Sequence, residues 1–352
     1  MAGGFEKIGY TGKAYFIADI AANHDGDLRR AFRLIELAKE AGADAAKFQN
    51  FTAEKIVSRR GFDTMPKAAH QAAWQKSVFE VYADASINAD WTPKLREKCD
   101  EVGIAYLTSP YDFASVDAVD PYLDAYKIGS GDITWPDILT YIGGKGKPVL
   151  LATGASELED VTRAYTILRP LVKDLCVMQC NTNYTASEEN FKYINLNVLK
   201  TYKVLFPDCV LGLSDHTFGH ATVLGALALG AKMIEKHFTD DNARTGPDHR
   251  FSMNPLTWRE MVRAARELEQ AMGDGVKRIE ENEMASAVVQ RRALYVTRDM
   301  RAGETVTAED LKAVRPIREG GVPPYRIDDV LGKALRRDLP ADTTLRMEDL
   351  QC

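Results

Sequence analysis

Val210-Leu-Gly-Leu-Ser-Asp-His216, then a small apolar run over 221–230, then Met233-Ile-Glu-Lys-His-Phe-Thr239 and Gly246-Pro-Asp248, is the stretch that decides the fold. Two short apolar runs, 210–213 and 232–235, have the length of buried strands and end in polar residues. His216 closes one and His237 closes the other. The alanine- and leucine-rich run between them suits a helix crossing from one parallel strand to the next. Two imidazoles delivered at the same end of neighbouring parallel strands can share one divalent ion, leaving positions free for water and substrate. Polar caps on strand ends are the plain alternative. The serine, aspartates and lysine around this pair favour a site.

Working outward, the same rhythm recurs along the chain. Tyr15-Phe-Ile-Ala-Asp-Ile20 is the first apolar run, and 28–41 places Leu28, Ala31, Ile35 and Ala38 on one helical face. Gly42 ends that helix, and a second strand follows over 44–49. Further strands are expected over 104–108, 125–128, 148–152 and 175–179, giving eight runs within 15–238, most separated by helical pattern. Eight strand–helix units over about 240 residues predict an α/β chain folded as a (β/α)8 TIM barrel, with an open doubly wound sheet as competitor. Polar residues at the strand ends favour the barrel, whose C-terminal mouth gathers them. They include Asp19, Lys47, Gln49, Ser109, Lys127, Ser130, Asp132, Thr153, Asn181, Ser214, His216 and His237. The insertion over 50–100 is expected to hang over that mouth or to sit in an interface.

At 352 residues the chain has room for this barrel (1–275), a linker (276–290) and a small domain (291–352). In the last part, Asp299-Met-Arg-Ala-Gly-Glu-Thr-Val-Thr-Ala-Glu-Asp-Leu311 recurs as Asp338-Leu-Pro-Ala-Asp-Thr-Thr-Leu-Arg-Met-Glu-Asp-Leu350. The duplication predicts two half-motifs about a pseudo-twofold axis in a β-rich module. A net charge of −6 offers no field for nucleic acid or anionic membrane, so any phosphate needs local cations. Five cysteines (Cys99, Cys176, Cys180, Cys209, Cys352) show no CxxC spacing, as expected of a reducing cytoplasm. No signal-peptide pattern opens the chain, and no run reaches the roughly 18 apolar residues of a membrane span.

Lys47, Lys127 and Lys236 are the cations expected near the mouth. Lysine at a barrel strand end implies an anionic partner or a Schiff base. Lys127-Ile-Gly-Ser-Gly-Asp132 adds glycines that let backbone approach an anion and a hydroxyl donor in Ser130. Asp19 and Asp132 supply carboxylates suited to sugar hydroxyls or proton relay.

Seven motifs, in order, carry a resemblance to a known family. They are Asn23-His-Asp-Gly26, Gly42-Ala-Asp-Ala-Ala-Lys-Phe-Gln49, Lys127-Ile-Gly-Ser-Gly131, Gly212-Leu-Ser-Asp-His-Thr217, Glu235-Lys-His-Phe-Thr239, Gly246-Pro-Asp248 and Ser252-Met-Asn-Pro255. Along nearly its whole length the chain resembles the sialic acid synthase (nonulosonate synthase) family, and its C-terminal part resembles that family's antifreeze-like (SAF) domain. The resemblance implies an N-acetylneuraminate synthase-like transferase: metal-dependent condensation of phosphoenolpyruvate with an N-acylated amino sugar such as N-acetylmannosamine. The products are a nine-carbon 2-keto acid and phosphate. By position it implies His216 and His237 as metal ligands, with Mn2+ expected and Mg2+ or Co2+ as alternatives. Asp248 would hold a metal-bound water. Lys47, Lys127, Ser130 and Ser214 would grip phosphoenolpyruvate, while Gln49, Tyr184 and Arg315 would face the sugar. Arg315 is expected to reach the other subunit's barrel in a domain-swapped homodimer.

This chain departs from the best-known branch in four places. Asp19 and Asp132 stand where that branch has glutamate, each carboxylate about 1.5 Å shorter in reach. Ala152 replaces a serine, and Cys180-Asn-Thr replaces Cys-Thr-Asn, so Asn181 or Asn183 is expected to take the role of Thr182. Such shifts alter the acceptor or its pose, and a diacetamido-trideoxy hexose of the legionaminic or pseudaminic type is the alternative acceptor. A Schiff-base pyruvate aldolase and a non-catalytic sugar- or ice-binding protein are the competing classes. A metal-dependent hydrolase fits poorly, because no His-x-His ends the first strand.

Overall fold

Runs such as Tyr15–Asp19 and Leu175–Cys180 are buried along their entire length, the pattern of parallel strands covered on both faces. The computed structural model describes residues 4–68, 71–72 and 74–351. Residues 1–3 and Cys352 lie outside them. Eight strands form one parallel sheet: β1 (Tyr15–Asp19), β2 (Ala45–Asn50), β3 (Ala105–Pro110), β4 (Tyr126–Ile128), β5 (Val149–Ala152), β6 (Leu175–Cys180), β7 (Val210–Asp215) and β8 (Met233–His237). Each begins within one residue of the run expected from sequence, and β3, β7 and β8 extend two residues further. The order is β3-β2-β1-β8-β7-β6-β5-β4, so the first strand pairs with the last. The two ends of that order, β3 and β4, pack together. The sheet is therefore a (β/α)8 barrel and not an open doubly wound sheet.

Side chains alternate in and out along each strand. Outward residues such as Phe16, Phe48, Val177 and Ile234 join the core shared with the surrounding helices. Inward residues fill the lower barrel: Ile17, Ala45, Leu107, Leu150, Met178 and Met233 pack there with Phe5 and Ile8 from the 3-10 turn Gly4–Ile8. Gly212 lies at a crowded point of this interior, where a Cβ would stand 2.8 Å from Met178 Cγ and from the Met233 carbonyl oxygen. Helix ends are fixed locally. Asn254 caps helix Pro255–Ala271 by accepting from the Leu256 and Thr257 amides, with Pro255 at the first helical position.

The chain divides into two compact units, Met1–Gly273 and Asp274–Cys352. In the second, the stretch read as a linker contains a helix, Met284–Val289. Strands β9 (Ala293–Val296) and β10 (Leu311–Val314) then pair antiparallel. The repeat has a geometric counterpart. Asp338 accepts from the Ala302 amide at 2.8 Å, and Asp299 accepts from the Ala341 amide at 2.7 Å. Arg298 pairs with Asp310 at 2.8 Å as Arg337 pairs with Asp349 at 2.6 Å. Gly303 and Asp342 occupy matching left-handed positions, with φ of 87° and 64°. Glycine takes that conformation freely, and aspartate is among the side chains that tolerate it best.

Candidate active site

The alternation that fills the lower barrel with apolar groups fills its mouth with polar ones. Two residues beyond Ile17 comes Asp19, two beyond Ala45 comes Lys47, and two beyond Met233 comes Glu235. They open into a cavity of about 390 Å³ at the C-terminal ends of the strands. Gln49, Ser109, Lys127, Ser130, Asp132 and Ser214 share its wall with Tyr184, His216, His237 and Asp248. The insertion does hang over the mouth, since Ile56, Trp74, Val81 and Tyr82 line the same cavity.

At the cavity floor two lysines interlock with two carboxylates. Lys127 Nζ lies 2.6 Å from Glu235 Oε2, and Lys47 Nζ lies 2.7 Å from Asp19 Oδ2 and 3.7 Å from Glu235 Oε1. Ser214 Oγ donates to Glu235 at 3.2 Å. Burial opposes the charge on Glu235, but the Lys127 and Lys47 ammonium groups overcome it and hold the carboxyl down at about 2. Burial likewise works against charge on Lys47, and Asp19 with Glu235 outweighs it, so the amine is held above its ordinary value. Burial raises Asp19, which Lys47 only partly offsets. Asp132 is pushed up to about 6 by burial.

His216 and His237 face one another, with ring centroids 5.2 Å apart. His216 Nδ1 lies 2.8 Å from the Asn181 carbonyl oxygen. That carbonyl can only accept, so Nδ1 carries the proton and Nε2 keeps its lone pair. Among the described residues, His237 Nδ1 and Ser109 Oγ on the same wall are buried and have no hydrogen-bond partner. Burial lowers both imidazoles to about 4, which keeps them neutral, the form that binds metal. A carbonyl-oriented imidazole beside an unpartnered one is a donor set that fits a divalent ion. No cluster of three or more His, Cys, Asp or Glu among the described residues could hold one, so further ligands would come from water and substrate.

Some expectations need correction. Lys236 points away from the mouth, one residue out of phase with Glu235 and His237. Its ammonium pairs with buried Asp215 and donates to the Thr217 carbonyl at 2.7 Å. Thr153 is also out of phase, donating to the Met178 carbonyl at 2.9 Å. At and beyond the end of β6 alternate residues face inward: Cys180, Thr182 and Tyr184 line the cavity while Asn181 and Asn183 do not. Asn181 donates to the Tyr193 carbonyl, and Asn183 accepts from the Thr185 amide and hydroxyl. Thr182 itself therefore occupies the wall, and neither asparagine replaces it. Arg315 lies in the second unit, exposed just past β10.

Three contributors had no role assigned from sequence. Glu235 sits two residues before His237, and Tyr111 two after Ser109, so period two alone would have found both. Phe251, whose ring lies 4.8 Å from His237 and 5.8 Å from His216, carries no such signal. Asp248 accepts from the Ala22 amide at 3.1 Å and lies 3.9 Å from His237 Nδ1.

A TIM barrel with paired imidazoles and a lysine–carboxylate floor at its mouth defines the class of protein. Comparison with known sequences makes it specific: the NeuB family model matches residues 34–277 and the SAF domain model matches 291–351. The chain belongs to the NeuB family. It is 32% identical to the N,N'-diacetyllegionaminic acid synthase of Legionella pneumophila, covering 99% of this chain and 98% of that one. Human N-acetylneuraminate-9-phosphate synthase is also 32% identical, over 97% of this chain and 94% of its own. A solved structure, the spore coat polysaccharide biosynthesis protein spsE of Bacillus subtilis, has a TM-score of 0.63 at 29% identity, covering 97% and 96% of the two chains.

Proposed function

We propose that this chain is a nonulosonate synthase, condensing phosphoenolpyruvate with an N-acylated amino sugar to a nine-carbon 2-keto acid and phosphate. The observation that carries the reading is one cavity holding two facing imidazoles, two ion-paired lysines and an unpartnered His237 nitrogen. The curated relatives named above are synthases of acidic sugars with different acceptors, which supports the reaction class.

His216 and His237 would hold a divalent ion, Mn2+ foremost, which supplies Lewis-acid polarisation of the sugar's aldehyde. C3 of phosphoenolpyruvate bonds to the aldehyde carbon, and the aldehyde oxygen gains a proton. Water adds at C2, and phosphate departs by cleavage of the C2–O bond. Lys47 and Lys127, both buried at the floor, balance the phosphate charge. Asp132, whose pKa burial raises to about 6, can accept and return a proton near that pH. A Schiff-base route through Lys127 or Lys47 is disfavoured, because it needs a free neutral amine and each ammonium is ion-paired, Lys127 with Glu235 and Lys47 with Asp19. Arg315 of a swapped partner would complete the acceptor end.

The test is isotopic. With labelled water, label should enter the keto acid and the bridging oxygen should leave with phosphate; EDTA should stop turnover. Retention of the bridging oxygen in the organic product, or a borohydride-trapped pyruvate adduct, would falsify the reading.

A further inference from the structure

Asn23-His-Asp-Gly26, just after β1, has no part in the condensation, and neither does His249, the residue that follows Gly246-Pro-Asp248. The fold joins them. The His249 side chain is fully buried, with Nε2 2.8 Å from Asp25 Oδ1 and Nδ1 2.7 Å from Thr239 Oγ1. An ionised carboxylate only accepts, so Nε2 carries a proton. Asp25 is itself tied down. Its Oδ2 receives Arg244 Nε at 2.9 Å and lies 3.1 Å from Arg30 Nε, and its backbone takes a left-handed φ of 51°.

The turn that His249 anchors carries two groups of the site. Asp248, one residue before, lines the cavity with its carboxylate 3.9 Å from His237 Nδ1. Phe251, two residues after, sets its ring 4.8 Å from that of His237 and 5.8 Å from that of His216. Gly246 shows how close the fit is. A Cβ there would stand 2.6 Å from His249 Cδ2, although the backbone at 246 is not left-handed. Glycine is demanded here by the imidazole and not by the turn.

We infer that His249 is a positioning residue of the metal site: clipped to Asp25 and Thr239, it sets the Asp248 carboxylate and the Phe251 ring against the imidazole pair. This rests on the two-imidazole metal site proposed above. Groups that orient the surroundings of a metal typically change its affinity by about ten- to a hundred-fold.

Mn2+ binding to the full-length protein is titrated by EPR of the free ion, without substrates, with melting curves to check folding. His249→Ala should weaken Mn2+ binding by about ten-fold. His249→Gln, whose amide nitrogen can donate to Asp25 in place of Nε2, should stay within about three-fold of wild type. Gly246→Ala pushes the ring without deleting it and should alone cost about ten-fold, yet nothing further in the His249→Ala background, where the clash is gone. Wild-type affinity in His249→Ala, equal losses in the Ala and Gln variants, or additive losses in the double variant would overturn the inference. If His249→Ala does not melt cooperatively, Gly246→Ala decides, and wild-type affinity there overturns it. A wild type that binds no Mn2+ overturns it as well. Binding as expected, with no phosphate released from phosphoenolpyruvate and any acylated hexosamine, would defeat the condensation and leave the role of His249 standing.

Discussion

At the scale of single residues, the polarity of the cavity wall follows from which side chains share the inward phase. Thr182 and Asn181 are adjacent, yet only Thr182 lines the cavity. Thr182→Val should therefore lower kcat/KM by about ten-fold, the worth of one hydrogen bond, while Asn181→Ala stays within about three-fold. Equal losses in steady-state assays would contradict the placement. Asp132 makes a second case. Burial raises its pKa to about 6, so the fold favours the protonated form, and the stability it contributes at low pH is lost as pH rises through that value. Asp132→Asn should melt higher than wild type at pH ~7 and yet lose about ten- to a hundred-fold in kcat/KM. The acid limb near pH 6 in the wild-type rate profile should vanish with it. These roles were only partly legible beforehand. Chemistry-bearing residues stood out by type, but the error over Asn181 and Asn183 arose from treating strand ends as points when they continue to alternate past the last ladder bond. Phe251 could not be read at all, because an aromatic after a loop has no period to betray it.

At the scale of elements, β7 and β8 are locked together on the face opposite the imidazoles. Asp215 accepts from the Thr217 amide at 3.1 Å, from Thr217 and Thr222 hydroxyls at 2.8 and 2.7 Å, and pairs with Lys236. Both oxygens of this buried carboxylate accept hydrogen bonds, and its pKa is held at about 2: burial alone would raise it, and Lys236 with the hydroxyls prevails. Because that value is depressed, the stabilisation is present above the unfolded value of about 3.9 and is lost as pH falls through the folded one. Lys236→Met leaves a buried charge unpaired and should destabilise by about 3–5 kcal/mol in denaturant titrations. The same variant should remove stability at neutral pH and lose its deficit on acidification through and below pH ~2, as Asp215 takes up its proton in the wild type too. A deficit unchanged with pH would show that packing, not charge, holds the strands. The strands themselves were legible from composition and length. What the sequence hid was which lysine faced which way, since Lys236 lies between two cavity residues and differs from them only in phase.

At the scale of the whole molecule, the proposal that Arg315 of a swapped partner completes the acceptor end is tested directly by mixing. Arg315→Ala and Lys127→Met should each be nearly inactive alone. Mixed dimers gather both defects into one site and leave the other intact, so activity should return on co-refolding; none would return if Arg315 served its own barrel. The duplication in the small unit was plain in the sequence, but its handshake was not: Asp299 and Asp338 each tie down the backbone of the other copy. Neither copy is self-sufficient, since each borrows its twin's carboxylate to close its own turn. Drift in either half is thus policed by the other, and such a module would be abandoned whole sooner than trimmed by halves.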